Sequence, residues 1–296
     1  MNTPAYVIIT PVRNEGERIQ RTIDSVVKQT IRPSKWMLVD DGSSDKTGPL
    51  VDAAASQHSW ITAIHRPDRG FRKQGGGVIE AFYDGFVRVE EGSWDFLAKL
   101  DGDLAFEADY FARCFSRFAA DEKLGIGGGT IYDEVNGIAV PGSPGDPEFH
   151  VRGATKIYRQ ATWQAIGGLI KAPGWDTLDE VKANMLGWRT YSFKELRVIQ
   201  LKPTGSADGP WQNWVKNGRA NYIVGYDPIF MLIKCLRRLR QRPYGITALG
   251  LLVGFVSGYV KGIPQVDDKA LIGYLRDQQR RRLTGRPSLW SGHTQH

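Results

Sequence analysis

Apolar residues fall into two rhythms along the first hundred positions. Tyr6-Val7-Ile8-Ile9-Thr10, Trp36-Met37-Leu38-Val39 and Phe96-Leu97-Ala98-Lys99-Leu100 are short, nearly continuous runs. Such runs suit strands buried on both faces. Trp60 to His65 reads as a further strand. Between the runs, apolar positions recur at helical spacing. Ile19, Ile23, Val26 and Val27 lead to Gln29 behind a cap at Asn14. Thr47 to Ala55 and Val78 to Val89 follow, the latter with Ala81, Phe82, Gly85 and Phe86 on one face. Strands and helices that alternate through short loops predict an α/β fold with a mostly parallel central sheet, covered by helices on both sides.

The rhythm changes after residue 124. Gly127-Gly128-Gly129 and the Pro141 to Pro147 stretch suggest strands around a long connection. Gly174-Trp175-Asp176 leads into a helix from Thr177 to Leu186, ended by Gly187, and Arg197 to Leu201 suits a last strand. From Trp211 the composition shifts. Ile246 to Ile263 is mostly apolar yet carries Thr247, Ser257, Tyr259, Lys261 and several glycines. A bilayer span needs about 20 predominantly apolar residues, so this stretch is borderline for crossing. It equally suits an amphipathic segment lying on the bilayer or a packed hairpin. The expected division is 1–225 for a catalytic unit and 226–296 for a helical, apolar and basic appendage.

Composition narrows the class. The chain has 296 residues, 41% hydrophobic and 24% charged, with 34 glycines and a formal charge of +7. Arg237, Arg238, Arg240 and Arg242 form one basic cluster, and Arg280, Arg281, Arg282 and Arg286 another. These clusters suit an anionic membrane surface or a polyphosphate. No zinc-finger spacing or RNA-binding aromatic signature is present, so nucleic acid is not an expected partner. Cys114 and Cys235 lie far apart without a CxxC, which argues against disulfides and zinc. The strand at the start leaves no signal-peptide pattern in Met1 to Thr10. A reducing, cytoplasmic location follows, with the basic appendage placing the protein at the inner face of the membrane.

The candidate chemistry collects at strand ends, where open α/β sheets bind ligands. Asp101-Gly102-Asp103 follows the fourth strand and sets two carboxylates one small residue apart. Hard divalent cations such as Mg²⁺ or Mn²⁺ use one or two carboxylates together with substrate phosphates, and Gly102 leaves room for a diphosphate. Asp40-Asp41-Gly42-Ser43 ends the second strand. It suits a turn in which an Asp or Ser caps the next helix. Its Asp can equally accept a base imide N–H or a ribose hydroxyl. No G-x-G-x-x-G or P-loop follows the first strand, which excludes a Rossmann dinucleotide site.

Three motifs in order, Ile9-Thr10-Pro11-Val12-Arg13-Asn14-Glu15, Val39-Asp40-Asp41-Gly42-Ser43-Ser44-Asp45 and Asp101-Gly102-Asp103, resemble those of the family 2 glycosyltransferases with the GT-A fold. The similarity covers roughly residues 5–225. It implies a nucleotide-diphosphate sugar donor, a divalent metal and a glycan or lipid-linked acceptor. It implies that Asp41 meets the base and that Thr10 and Pro11, near Arg13, line the nucleoside pocket. Asp103 would then be the direct metal ligand, with Asp101 near the ribose or the metal. Arg69, Arg72 and Lys73 fall in the loop that approaches the nucleotide in this family. The acceptor base belongs to a Glu-Asp pair eleven residues before a Gly-aromatic pair. Asp176 matches against Gly187-Trp188, but Trp175 replaces the Glu, which leaves Asp179, one turn on, as the alternative base. Trp211, Gln212, Trp214, Lys216 and Arg219 resemble the segment that closes over the donor pyrophosphate. The processive Gln-x-x-Arg-Trp pattern is absent, which implies single-sugar transfer. A sugar nucleotidyltransferase and a catalytically silent nucleotide-sugar-binding module are the competing readings.

Overall fold

The computed structural model describes residues 3–70, 76–135, 137–142, 145–202, 209–239 and 244–291. The first half alternates as its apolar rhythm predicts. The elements are β1 (Tyr6–Val12), α1 (Ile19–Val27), β2 (Lys35–Asp40), α2 (Thr47–Gln57), β3 (Ile61–His65), α3 (Gly76–Phe86), β4 (Phe96–Leu100), β5 (Leu104–Ala105) and α4 (Tyr110–Ala120). β6 (Leu124–Val135), β7 (Ile138–Pro141), β8 (Thr155–Arg159), α5 (Gln160–Ile166), α6 (Trp175–Met185) and β9 (Arg189–Gln200) follow. The chain then turns helical in α7 (Gly209–Ile223), α8 (Pro228–Arg238), α9 (Ile246–Val260) and α10 (Lys269–Leu283).

The strands form one sheet in the order β3-β2-β1-β4-β8-β6-β9-β5, with β7 paired to β6. The first four are parallel. β8 runs antiparallel between β4 and β6, so the sheet is mixed beyond β4. β1 lies between β2 and β4 and all seven of its residues are buried. Successive side chains point to opposite faces. Tyr6, Ile8 and Val12 enter the core shared with α1 and α4, and Val7 and Ile9 enter the core shared with α3 and α5. A continuous apolar run is what a strand with cores on both sides requires.

The sequence misplaces some boundaries for identifiable reasons. α1 starts at Ile19 and its first-turn flank has no side-chain cap. Asn14 is engaged elsewhere: its N–H donates to Ser43 Oγ and its Oδ1 accepts from the Ser44 N–H, with φ at 54°. Neither serine caps α2. Asp45 accepts from the Thr47 N–H instead, at 2.9 Å. β9 has twelve residues, far longer than the expected Arg197 to Leu201, because its first half mixes buried and exposed positions and carries no apolar run.

The apolar stretch after residue 245 is a helix of 15 residues, about 22 Å long. Among the described residues no helix is long and apolar enough to cross a membrane. α9 lies along α7 through glycine contacts. A Cβ on Gly254 would stand 2.0 Å from the Val215 carbonyl oxygen, and one on Gly218 would stand 2.1 Å from that of Leu251. α6 joins this cluster through Leu178 and Val181. Gly254→Val is expected to destabilise by about 2–3 kcal/mol through overpacking. Gly273→Ala, in α10 with open space around it, should stabilise by up to about 1 kcal/mol. Urea denaturation of both variants measures the difference.

Candidate active site

Because β1, β2 and β4 are adjacent and parallel, the loops after them emerge side by side. The first two are latched together. Besides the Asn14 contacts, the Glu15 N–H donates to Thr47 Oγ1 and the Gly16 N–H to Asp45 Oδ2, each at 2.9 Å. Asp40 is buried and structural: it accepts from the Ser43 N–H and faces His65 Nδ1. Asp41 is the hub of an arginine cluster. Its carboxylate pairs with Arg66 and Arg69, while Arg13 Nη1 donates to its carbonyl at 2.8 Å. Arg66 also pairs with Asp84 and Arg69 with Glu80. The Thr10 hydroxyl is fully buried and accepts from Trp36 Nε1 at 2.9 Å, so that side chain faces the core. Pro11 is buried within β1. Arg72 and Lys73 lie outside the described residues.

The Asp101-Gly102-Asp103 turn is held at both ends, by β4 before it and by β5 pairing with β9 after it. Space at Gly102 is taken by protein, since a Cβ there would lie 2.4 Å from Val12 Cγ1. The glycine therefore serves close packing on β1, and the expected diphosphate approach at that atom is not where the room is. Asp101 Oδ1 pairs with Lys99 Nζ. Asp103 is buried, with Gln200 Nε2 at 3.5 Å as a weak donor. Burial first, then the Asp101 and Glu15 carboxylates, push the Asp103 carboxyl up to about 7. Glu15 Oε1 pairs with Lys202 at 2.9 Å, and its buried Oε2 accepts no hydrogen bond and faces Arg18 Nη1 at 3.6 Å. A buried carboxylate this poorly compensated fits a hard divalent cation. Among the described residues no three His, Cys, Asp or Glu groups form a closed metal cage. The donor set thus suits Mg²⁺ or Mn²⁺ completed by substrate phosphates and water.

Helix α6, which carries Asp176 and Asp179, starts from Gly174, whose φ is +82°. The segment that begins β8 bridges it to the Asp101-Gly102-Asp103 turn. The Ala154 carbonyl accepts from the Asp101 N–H at 2.9 Å, and a Cβ on the neighbouring Gly153 would lie 3.2 Å from Asp176 Cβ. Asp176 stands in the first turn of α6 and is partly exposed. Asp179 is a different case. Its carboxylate is 1% exposed and is taken up by Lys156 Nζ at 2.8 and 3.0 Å and by the Tyr158 hydroxyl at 2.5 Å. Burial pushes it up and Lys156 pulls it back, leaving it raised to about 6. Glu180, also buried, accepts from the Val151 N–H at 2.6 Å and pairs with Lys156 and His150. Lys216 and Arg219 lie on α7, which packs along α9. Arg219 Nε is buried without a hydrogen-bond partner.

Arg66, Lys99, His150 and Lys156 belong to the site although no motif marks them. One signal was available: a lysine inside a five-residue buried strand, as in β4 and β8, requires a buried counter-charge. His150 supplies a pH test. Burial opposes its charge, but Glu180 outweighs this and holds it at about 9, above the ordinary 6.5. A raised histidine contributes stability that is complete below the unfolded pKa and is lost as pH rises through the folded one. The stability difference between wild type and His150→Gln is therefore expected to shrink by on the order of 3 kcal/mol from pH 6 to pH 10. Urea titrations across that range read it.

Comparison with known proteins bears on the family and the fold. Residues 7–163 match the model for glycosyl transferase family 2. The glycosyltransferase GlyG of Streptococcus pneumoniae is 25% identical over 131 residues, 44% of this chain and 40% of that protein. The glycosyltransferase AglE of Haloferax volcanii is 31% identical over 136 residues, 45% and 42% of the two chains. The matched region thus spans less than half the length of these relatives. Among solved structures, the mannosyltransferase PcManGT from Pyrobaculum calidifontis, in complex with GDP-Man and Mn²⁺, superposes with a TM-score of 0.58 at 16% identity. That match covers 96% of this chain and 84% of the other. The S. aureus TarS 1–349 complex with UDP-GlcNAc gives 0.53 at 16% identity, covering 94% and 81%. These neighbours share the GT-A fold. With more than half of its residues inside the family model, the chain belongs to glycosyl transferase family 2.

Proposed function

We propose that this glycosyltransferase moves a single sugar, with inversion, from a nucleotide-diphosphate sugar to a hydroxyl of a glycan or lipid-linked acceptor, using a divalent cation. The observation that carries the reading is the placement of Asp41, Asp103 and Asp176 around one end of the sheet. Residues 1–225 form the catalytic unit and residues 226–296 the helical unit. In this reading Asp41 orients the base, within the arginine cluster that Arg13 completes. Asp103 is the metal ligand and Asp101 lies beside the ribose. Thr10 and Pro11, buried in β1, form the floor below the nucleoside, and the nucleotide-contacting role of Arg72 and Lys73 rests on their sequence position alone. Mg²⁺ or Mn²⁺ held at Asp103 supplies the positive charge that stabilises the departing diphosphate. Lys216 and Arg219 add positive charge on the diphosphate side, and the orphaned Arg219 Nε is a donor suited to that use.

Inverting transfer needs a carboxylate free to take the acceptor proton. Asp176 has that freedom, at the start of a helix beside the metal turn. Asp179 does not: both of its oxygens serve Lys156, and Tyr158 adds a third bond. It is better read as an anchor for the helix than as the base.

The appendage supports an acceptor presented at a membrane. Ile229, Leu232 and Leu236 on α8 and Leu249, Val253 and Val260 on α9 are exposed at helical spacing. From residue 228 to residue 266 the chain has no acidic residue and six basic ones. An apolar stripe with basic surroundings suits the headgroup boundary of an anionic leaflet. In this reading the enzyme works at the cytoplasmic, inner face of the membrane.

Two outcomes are expected. Asp176→Asn should lower kcat by about 10²–10⁴-fold with little change in thermal stability, whereas Asp179→Asn should mainly destabilise. Nucleotide release from a panel of UDP- and GDP-sugars, measured with thermal melts, separates the two, and full activity in Asp176→Asn would sink the assignment. On sedimentation, the protein should travel with phosphatidylglycerol vesicles and not with phosphatidylcholine ones. Replacing Leu249 and Val253 by Ser should release it.

A further inference from the structure

Two lysine ammonium groups are buried between the metal turn and α6, and a single aromatic ring contacts both. Lys99 is 2% exposed within the otherwise apolar β4. Its Nζ pairs with Asp101 and lies 5.4 Å from the centroid of the Trp175 ring. Lys156 Nζ lies 5.6 Å from that same ring. The two cations differ in what neutralises them. Lys156 has Asp179 and Glu180. Lys99 has Asp101 as its recorded carboxylate partner among the described residues.

Trp175 stands where the family pattern places a glutamate. A carboxylate beginning α6 would lie near both lysines and would draw on the Lys99 charge. An indole offers Lys99 a π face but no negative charge, so the charge is left to Asp101. The third acid near Asp103, Glu15, has its own cation in Lys202. Of the three carboxylates around the turn, two are thus matched by a lysine.

We propose that Lys99 is a positioning residue that neutralises Asp101, so that Asp103 is the one uncompensated carboxylate a divalent cation meets. One carboxylate holds such a cation weakly, and diphosphate oxygens complete its shell. The cation is therefore taken up together with the nucleoside diphosphate and not ahead of it. This rests on the metal-dependent reading above and adds to it the residue that sets the order of binding.

Mn²⁺ titration of the full chain, followed by the electron paramagnetic resonance signal of free Mn²⁺, tests this without turnover. It is run alone, with UDP and with GDP. Wild type should bind Mn²⁺ at least about tenfold more tightly with one of the nucleotides than without. Lys99→Met exposes the Asp101 charge and should tighten nucleotide-free Mn²⁺ binding by at least about tenfold. Lys99→Arg should behave as wild type. Asp101→Asn alone leaves the Lys99 charge unpaired and should weaken nucleotide-free binding by a comparable factor, and Lys99→Met with Asp101→Asn should return to the wild-type value. A merely structural lysine would leave the double variant as perturbed as the single one. Unchanged nucleotide-free affinity in folded Lys99→Met overturns the proposal, as does a double variant that stays tight. If Lys99→Met does not fold, the double variant decides, since a nucleotide-free affinity well below wild type would show that Asp101 itself holds the cation. Wild type that binds no Mn²⁺ even with nucleotide overturns the metal reading itself, a result distinct from all of these.

Discussion

Lys156 carries its charge where no water reaches it, and the start of α6 is arranged around that charge. Burial alone would favour loss of the proton. Asp179, Glu180 and Asp176 outweigh burial and hold the lysine protonated. An isolated buried ion would cost several kcal/mol, so the acids of α6 are fixed by the need to meet it. The ammonium also donates to the Asp176 carbonyl. The first turn of α6 is thereby pinned to β8, and the Asp176 side chain is left to project beside the metal turn.

The donor side uses a different principle. Three parallel strand ends bring three loops together, and short polar contacts latch them. Asn14, Asp45 and Thr47 join the first loop to the second. The third is clamped between β4 and β5 and packs against Val12 with no space for a side chain at Gly102. Asp41 and Asp103 consequently sit on rigid supports, as preorganised binding requires. The two sides meet through Gly153 and Ala154, which touch α6 and the metal turn from adjacent positions.

The C-terminal helices share a core with α6, through Leu178 and Val181. Contacts that seat the appendage thus reach the helix that carries Asp176. The outward faces of α8 and α9 are apolar while their inner faces are filled by glycine contacts and by Met231, Cys235, Leu251 and Phe255.

The sequence alone determined the parallel half of the sheet, because strands buried on both faces must read as unbroken apolar runs. It also placed the acidic residues Asp40, Asp41, Asp101 and Asp103 at strand ends. Those features are local: each depends on a few consecutive residues and their period. Tertiary structure decided what depends on partners far along the chain. Asp179 and Asp176 share a helix face in sequence, but only their distance from Lys156 separates an anchor from a free carboxylate. Asn14 reads as a helix cap until Ser43 and Ser44 engage it. Gly102 reads as room for a ligand until Val12 fills the space. Lys99 and Lys156 look like single breaks in apolar strands. Their meaning lies in Asp101, Trp175, Asp179 and Glu180, which only folding brings beside them.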